Sequence, residues 1–372
     1  MKKITTLVSF LLLVYFSQAQ TPSITSSRTP SPAISGIGLP FSDARHAALG
    51  DAGAATSVDY ADIFYNPAKT AFAETKYGFY SSYNKWLNNL VSDMYLFRAG
   101  VNYKLPDNRS AISLNFTYFN QGTFQATNSS GLTSGNYNAY DWALGANYAK
   151  KLSPKLSLGI GLKYINSVLF SGIINGIQLQ PAETIAADIS IFHQSNDSTK
   201  LVNFNYGVYI SNLSGRVNYG GTESNFIPTN LKIGIAPTIK ISKNSTFILA
   251  IDANKLMIPT PVYDSNGRLV ASKSDIGGIL GSFSDAPDGL KEELQEIAWS
   301  IGGEYWYKNT VALRVGKFIE SENKGGRNFT TFGVGVKIIK RVNIDLAYLH
   351  NESNYSSLGN LWRGNVTFGI GK

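Results

Sequence analysis

The sequence predicts an all-β protein, a 14-stranded antiparallel transmembrane β-barrel with an N-terminal plug and long extracellular loops. From about residue 76 to the end, apolar and polar residues alternate with a period of two. The alternating segments are 9 or more residues long, which matches the roughly 9–11 residues that a tilted strand needs to cross the hydrocarbon. Tyr or Trp often stands at a segment end, as an interfacial aromatic girdle requires. A soluble sandwich would also alternate, but its strands are usually about 5–6 residues long.

The composition argues against several classes of function. The 372 residues include 33 Lys and Arg against 25 Asp and Glu, and only 16% of residues are charged. The basic residues are scattered singly, which argues against a nucleic-acid partner. The chain has no cysteine and three histidines, so disulfides and thiol chemistry are excluded and little remains for a metal site. We expect no cofactor.

The first 19 residues resemble an export signal. Lys2 and Lys3 precede the apolar run 7–16, and a small-residue cleavage site ends at Ala19. This run is shorter than the roughly 20 residues of a spanning helix, although an uncleaved anchor is the alternative. Residues 20–40 contain four prolines among small polar residues and predict a flexible periplasmic leader.

Fourteen segments within residues 76–372 are predicted to be strands. They are 76–84, 93–104, 110–120, 139–150, 155–168, 183–193, 201–213, 229–241, 246–256, 297–308, 310–318, 329–340, 342–350 and 361–371. Short turns alternate with the longer connections 121–138, 166–182, 214–228, 257–296, 319–328 and 351–360. In outer-membrane barrels the short turns are periplasmic and the long loops extracellular.

Residues 41–75 interrupt this pattern with an Ala-rich run and a Pro67 stop. Short helical stretches here predict a compact plug inside the barrel, because chain segments plug larger barrels. A periplasmic cap without a gating role is the alternative.

The loop 257–296 is long and contains apolar residues. Long loops in compact domains are usually functional, and exposed apolar patches usually mark contact sites. We therefore expect a protein-binding loop, with a lid folded over its own barrel mouth as the alternative. The expected contact residues are Met257, Ile258, Val262, Tyr263, Ile279, Leu280, Phe283 and, in a short amphipathic helix, Leu290.

No catalytic constellation is apparent, and we expect a non-enzymatic protein. The chain has no Gly-x-Ser-x-Gly elbow. Predicted lumen-facing carboxylates could suggest a general acid and base, but a charge network across a wet interior is the favoured interpretation. The carboxylates are Asp141, Asp188, Asp252, Glu304 and Asp345, and the bases are Arg98, Lys163, Lys232, Arg314, Lys337 and Arg363. Gly159, Gly161, Gly333 and Gly335 lie within strands, where small residues give clearance in the lumen.

Two N-terminal runs carry a family resemblance. The run 43–53 (DARHAALGDAG), followed by 64–68 (FYNPA), resembles the hatch of the FadL-like outer-membrane family, whose members are 14-stranded barrels with an N-terminal plug. The longer run from Leu39 to Lys69 resembles the PorV (LptO) family of the type IX secretion system, and a sister barrel, PorQ, has a similar box. The hatch positions that the resemblance indicates are Arg45, Leu49, Gly50, Gly53, Asn66 and Pro67.

This resemblance implies a shuttle in the outer membrane. Such a barrel binds the large translocon barrel (SprA, or Sov), receives cargo proteins by their C-terminal signal domains, and delivers them to the surface sortase PorU. The alternative is a FadL-type importer of hydrophobic small molecules, which needs an apolar pocket and a lateral gap in the wall. The predicted inward positions are mostly polar, which disfavours the importer. The apolar exceptions are Phe119, Ile165, Tyr209, Trp306 and Phe318.

Overall fold

The computed structural model describes residues 29–87, 91–127, 133–174, 177–221, 224–261, 274–339, 341–353 and 359–371. Within these ranges, fourteen antiparallel strands form one closed barrel. Each barrel strand pairs with the barrel strands before and after it in the chain. The first strand pairs with the last, with Phe79 opposite Phe368. The predicted 14-stranded antiparallel barrel is therefore confirmed.

The strands, in chain order, are β1 (Tyr77–Lys85), β2 (Tyr95–Lys104), β3 (Ser110–Thr127), β4 (Thr133–Lys151), β5 (Leu156–Val168), β6 (Gly172–Ile174), β7 (Ile177–Leu179), β8 (Ala182–His193), β9 (Val202–Leu213), β10 (Asn230–Ser242), β11 (Ser245–Leu256), β12 (Ile297–Tyr307), β13 (Val311–Ile319), β14 (Asn328–Ile338), β15 (Val342–Asn351) and β16 (Leu361–Ile370). The α-helices are α1 (Ala44–Ala47), α2 (Asp275–Gly281) and α3 (Leu290–Gln295). Short 3-10 helices cover Ser35–Gly38, Tyr60–Phe64, Pro67–Phe72 and Glu322–Lys324.

Two predicted loops contain additional strand structure. Strands β3 and β4 continue through much of 121–138, and β6 and β7 form a separate hairpin within 166–182. Beyond the hydrocarbon neither face of a strand needs apolar side chains, so the hydrophobic alternation that marks a spanning strand fades there.

The outward face of the barrel is apolar and the inward face is polar. Large outward side chains such as Leu144, Leu162 and Ile185 are exposed, whereas inward polar residues are buried. Aromatic rings pair along both rims, with Tyr77 near Tyr103 at one rim and Tyr348 near Trp362 at the other. None of the helices in the described ranges has the length and hydropathy needed to cross a membrane.

The hydrophobic core lies between the barrel wall and residues 41–73, which fill the lumen. One cluster joins Phe41, Ala44 and Ala48 to Phe318 and Phe329 of the wall. A second cluster consists of Leu49, Ala52, Ala55, Ala236, Ile248 and Ala250. We call residues 41–73 the plug.

Residues 29–40 also lie inside the barrel, at the long-loop end. The Ala33 amide donates to the carbonyl of Phe226 at 2.8 Å, and the Thr29 hydroxyl donates to the carbonyl of Asn323 at 3.3 Å. Ile34 is buried in an apolar cluster with the wall. The expectation of a flexible periplasmic leader does not hold for this segment, because its apolar side chains bury against the lumen wall. The predicted signal peptide and residues 20–28 lie outside the described residues.

Candidate functional site: the plugged lumen and the long-loop rim

Glycines in the wall allow the plug backbone to approach the strands closely. A Cβ atom at Gly207 would lie 1.9 Å from the carbonyl oxygen of Ala54, and one at Gly316 would lie 2.3 Å from the amide nitrogen of Gly50. Gly333 faces the plug in the same way, with Ala48 against it. Any side chain at these positions would displace the plug. The close packing of the plug on the wall therefore requires glycine at these positions.

The remaining predicted clearance glycines divide into two kinds. Gly159 faces the plug at the backbone of Ala68. Gly161 instead accommodates the Asn147 side chain of the wall, and Gly335 accommodates the side chains of Asp345 and Arg314. Clearance in the lumen therefore serves both plug packing and the wall's own polar network.

A buried ion-pair network joins the plug to the wall. Arg45 donates from Nε and Nη2 to the two carboxylate oxygens of Glu304, at 3.0 and 2.9 Å. Glu304 also pairs with Arg314 at 2.8 Å, and Arg314 pairs with Asp345 at 2.7 Å. All four side chains are buried. The charges therefore compensate one another across the interface, and separating the plug would leave unpaired charges in the wall.

Two further contacts pin the middle of the plug. The carboxylate of Asp252 accepts the backbone N–H groups of Gly53 and Ala54 at 2.7 and 2.9 Å. Lys232 pairs with Asp51 at 3.3 Å. A bond from a backbone N–H group to a carboxylate is roughly twice as strong as a neutral one, so the wall holds the plug backbone directly.

Inside the plug, His46 forms the centre of a polar cluster. Its Nδ1 lies 2.7 Å from the Asp43 carboxylate, its Nε2 lies 3.6 Å from Asp62, and its ring stacks on Tyr65. Burial alone would lower the pKa of His46, but the charge of Asp43, its hydrogen bond and Asp62 raise that pKa to about 9. Burial alone would raise the pKa of Asp43, but the charge and hydrogen bonds of His46 lower it to about 2. The pair is ionised at neutral pH.

The structure brings all six predicted hatch residues into the plug. Arg45, Gly50 and Gly53 make the contacts with the wall described above, with Gly50 in the left-handed region at φ 65°. Leu49 packs on the backbone of Gly302. The Asn66 side chain accepts from the Ala68 amide at the start of the 3-10 helix that Pro67 begins, and it donates to the carbonyls of Ala54 and Ile191 at 2.8 and 3.1 Å.

The lumen charges that the sequence predicts have specific partners. Besides the network around Glu304, Lys163 pairs with Asp188 at 2.8 Å. Asp141 accepts from the Ser167 hydroxyl. Arg98 and Arg363 donate to the start of the plug, at the Ser42 hydroxyl and the Phe41 carbonyl. The pattern is a charge network that includes the plug.

The predicted contact residues of the long loop between β11 and β12 differ in how exposed they are to solvent. Met257, Ile258 and Ile279 are buried at 4%, 3% and 5% exposure, so a partner cannot reach them in this conformation. Leu280, Phe283 and Leu290 are exposed at 64%, 46% and 75%. Val262 and Tyr263 lie outside the described residues.

One exposed isoleucine and one exposed leucine of this loop were not among the predicted contact residues. Ile276 lies one turn before Leu280 in α2, and Leu294 lies one turn after Leu290 in α3, and both are exposed. Their i, i+4 spacing is the signal that would have found them. We call Ile276, Leu280, Phe283, Leu290 and Leu294 the apolar loop patch.

The polar side of this loop faces the barrel. Glu292 and Glu293 of α3 are buried, where Lys324 pairs with Glu292 at 2.8 Å and Lys255 pairs with Glu293 at 3.1 Å. Both lysines also pair with Glu296. Helix α3 therefore buries its carboxylates and exposes its leucines, the reverse of a helix on a soluble protein surface.

Beneath the long loops lies a cavity of about 400 Å³ between residues 29–40, the plug and the wall. Its lining mixes Ile37, Leu39 and Phe64 with the charged Lys163 and Arg327. Among the described residues, no group of three or more His, Asp or Glu side chains could hold a metal ion.

The family model described as "Type IX secretion system protein PorV" matches residues 24–263. The Pseudomonas putida toluene transporter TodX has a similar structure, with a TM-score of 0.53 and 13% identity over 89% of this chain and 98% of its own. The monoaromatic hydrocarbon channel CymD also has a TM-score of 0.53, with 12% identity over 92% of this chain and 100% of its own. No curated protein sequence matches the chain. At these identities the two structures establish the FadL-like fold alone.

Proposed function

The chain belongs to the PorV family of type IX secretion system proteins, and on that premise we propose that it is a non-enzymatic adaptor of the outer membrane. In this proposal it binds the translocon barrel (SprA, or Sov), receives cargo proteins by their C-terminal signal domains, and passes them to the sortase PorU. The chain performs this function through protein–protein contacts at the long-loop rim. The barrel anchors that rim in the membrane.

The reversed amphipathy of α3 is the observation that carries this proposal. A loop that folded only to cover its barrel would turn its leucines inward, because burying a leucine is worth about 1.5–3 kcal/mol. Here the carboxylates of Glu292 and Glu293 take the inner positions and Leu290 and Leu294 point outward. Exposed apolar clusters ringed by polar residues are typical of protein interfaces.

The occupied lumen supports the adaptor over the importer. The plug is held by ion pairs that include Arg45 with Glu304 and by the bonds to Asp252. Residues 29–40 occupy the lumen above it. A hydrophobic ligand crossing this barrel would have to displace both segments and the buried charges between them.

The proposal is tested by substitution of the apolar loop patch. The variant combines Leu280→Ser with Leu290→Ser in the affinity-tagged chain, which is extracted in a mild detergent and assayed for recovered translocon and cargo. The control combines Leu152→Ser with Leu201→Ser, since these leucines are 55% and 66% exposed at the opposite rim. We expect recovery to fall several-fold in the patch variant alone.

Two outcomes would contradict the adaptor. One is unchanged recovery in the patch variant while its barrel is folded. The other is equal loss in the control, which would indicate a general effect of removing surface leucines. Long-chain lipid or aromatic hydrocarbon copurifying inside the barrel, with partner recovery unaffected by the patch, would favour the importer.

A further inference from the structure

A second cavity lies at the opposite end of the lumen, where the short turns are. It has a volume of about 600 Å³ and lies between the underside of the plug and the wall. We call it the vestibule. Five of the residues that line it are basic: Arg45 of the plug, which pairs with Glu304, and four residues of the wall, namely Lys243, Lys308, Lys337 and Arg341.

These four wall residues lie at or next to three neighbouring short turns on the same rim. Lys243 is in the turn between β10 and β11, Lys308 follows β12, Lys337 is the penultimate residue of β14, and Arg341 precedes β15. These strands are neighbours in the barrel, so the basic residues line one arc of the rim. On this arc the described turn residues include no Asp or Glu.

Among the described residues, none of the four basic side chains of this arc forms an ion pair, and their contacts are with neutral groups. Lys337 donates to the neutral Asn309 at 3.3 Å and lies over the Trp306 ring at 5.4 Å. Lys308 lies over the Tyr307 ring. The acidic lining residues are Asp59, which contacts Arg45 at 3.4 Å, and Glu74.

The arrangement directs this charge into the cavity. Lys337 pairs with Asn343, two residues from the inward pair of Gly335 and Asp345. Because side chains alternate along a strand, Lys337 and Asn343 share the inward face with Asp345. The Oδ1 atom of Asn343 is buried without a partner. Membrane phosphates surround the outside of the rim, so an inward cationic arc favours a ligand that enters along the barrel axis.

We infer that the vestibule binds a short acidic peptide segment of a soluble partner on the short-turn, periplasmic side. Carboxylates of such a segment would pair with the lysines and Arg341, while Trp306 supplies an apolar surface. A focused positive field in a concave site also raises the association rate of an anionic partner. This site is independent of the apolar loop patch, which lies on the opposite rim.

The test uses the full chain in non-ionic detergent and a fluorescein-labelled peptide of alternating Asp and Glu. Fluorescence anisotropy at roughly 0.02 M and 0.5 M salt measures binding, since salt screens such contacts. The variant combines Lys308→Gln, Lys337→Gln and Arg341→Gln. The control combines Lys150→Gln, Lys155→Gln and Lys200→Gln, which remove the same charge from the other arc of the same rim.

We expect peptide binding that weakens with salt and that falls about tenfold in the vestibule variant, while the control changes little. A peptide of alternating Asn and Gln should not bind. Absence of acidic-peptide binding, or equal loss in both variants, would overturn the inference. So would inorganic phosphate, or phosphatidylglycerol in the micelles, competing at the same residues more strongly than the peptide. Heat-modified mobility on a gel verifies that each barrel is folded.

Discussion

Replacement of Gly207 by Ala should loosen the plug while leaving the barrel wall intact. The new Cβ would lie 1.9 Å from the carbonyl oxygen of Ala54, and real Cβ contacts essentially never fall below 3.0 Å. The plug backbone must therefore retreat by about 1 Å. The hydrogen bonds from Gly53 and Ala54 to Asp252, at 2.7 and 2.9 Å, would stretch with it.

The expected cost follows from those contacts. Overpacking typically costs 1–3 kcal/mol, and a hydrogen bond to a charged group contributes about 1.5–3 kcal/mol. We therefore expect the free energy of plug opening to fall by about 3 kcal/mol. Since 1.4 kcal/mol is tenfold, the open population should rise about a hundredfold.

The chain has no cysteine, so a single reporter can be placed by Ala55→Cys in the buried plug. The rate of maleimide labelling at this position measures plug opening. Gly364→Ala is the matched control, because a Cβ there meets nothing within 4 Å. Labelling that rises less than about threefold in Gly207→Ala, or that rises equally in the control, would refute the packing argument.

Three further predictions concern buried charges and use the same reporter or limited proteolysis. Arg45→Met removes one partner of buried Glu304, which should destabilise the closed plug by about 3 kcal/mol and speed labelling about a hundredfold. Arg216→Met, at a partly exposed ion pair, should cost less than about 1 kcal/mol. The pKa of His46 is raised to about 9, so its contribution to plug stability is fully present below pH 6.5 and is lost as the pH rises through 9. After correction for the pH dependence of the maleimide reaction itself, the labelling rate should therefore increase above pH 9. His46→Gln should abolish that increase. Lys324→Met removes one lysine partner from each of Glu292 and Glu296 in the long loop and should make that loop sensitive to protease without lowering barrel stability.

Each of these predictions has an outcome that contradicts it. Equal labelling in Arg45→Met and Arg216→Met would show that burial does not strengthen the plug contact. A pH response unchanged by His46→Gln would assign the titration to another group. A Lys324→Met loop that resists protease like the original chain would show that the ion pairs do not hold it.

The strand pattern could be predicted from the sequence because its cause is local. Each spanning residue faces either lipid or the lumen, so polarity alternates along the chain whatever the distant residues are. The predicted bounds of β5, β8 and β11 agree with the structure to within one residue. Beyond the hydrocarbon this constraint ends, so the sequence pattern did not predict the outer parts of β3 and β4.

The sequence by itself therefore determined the barrel and the strand count, and for residues 41–75 it left a plug and a periplasmic cap as alternatives. Only the tertiary structure decided the partners: Arg45 meets Glu304 across 259 positions, and Gly207 meets Ala54. The structure also decided that residues 29–40 enter the lumen and that the leucines of α3 point outward. Periodicity identifies an amphipathic helix, but the choice of its buried face depends on Lys255 and Lys324, which distant strands and loops supply.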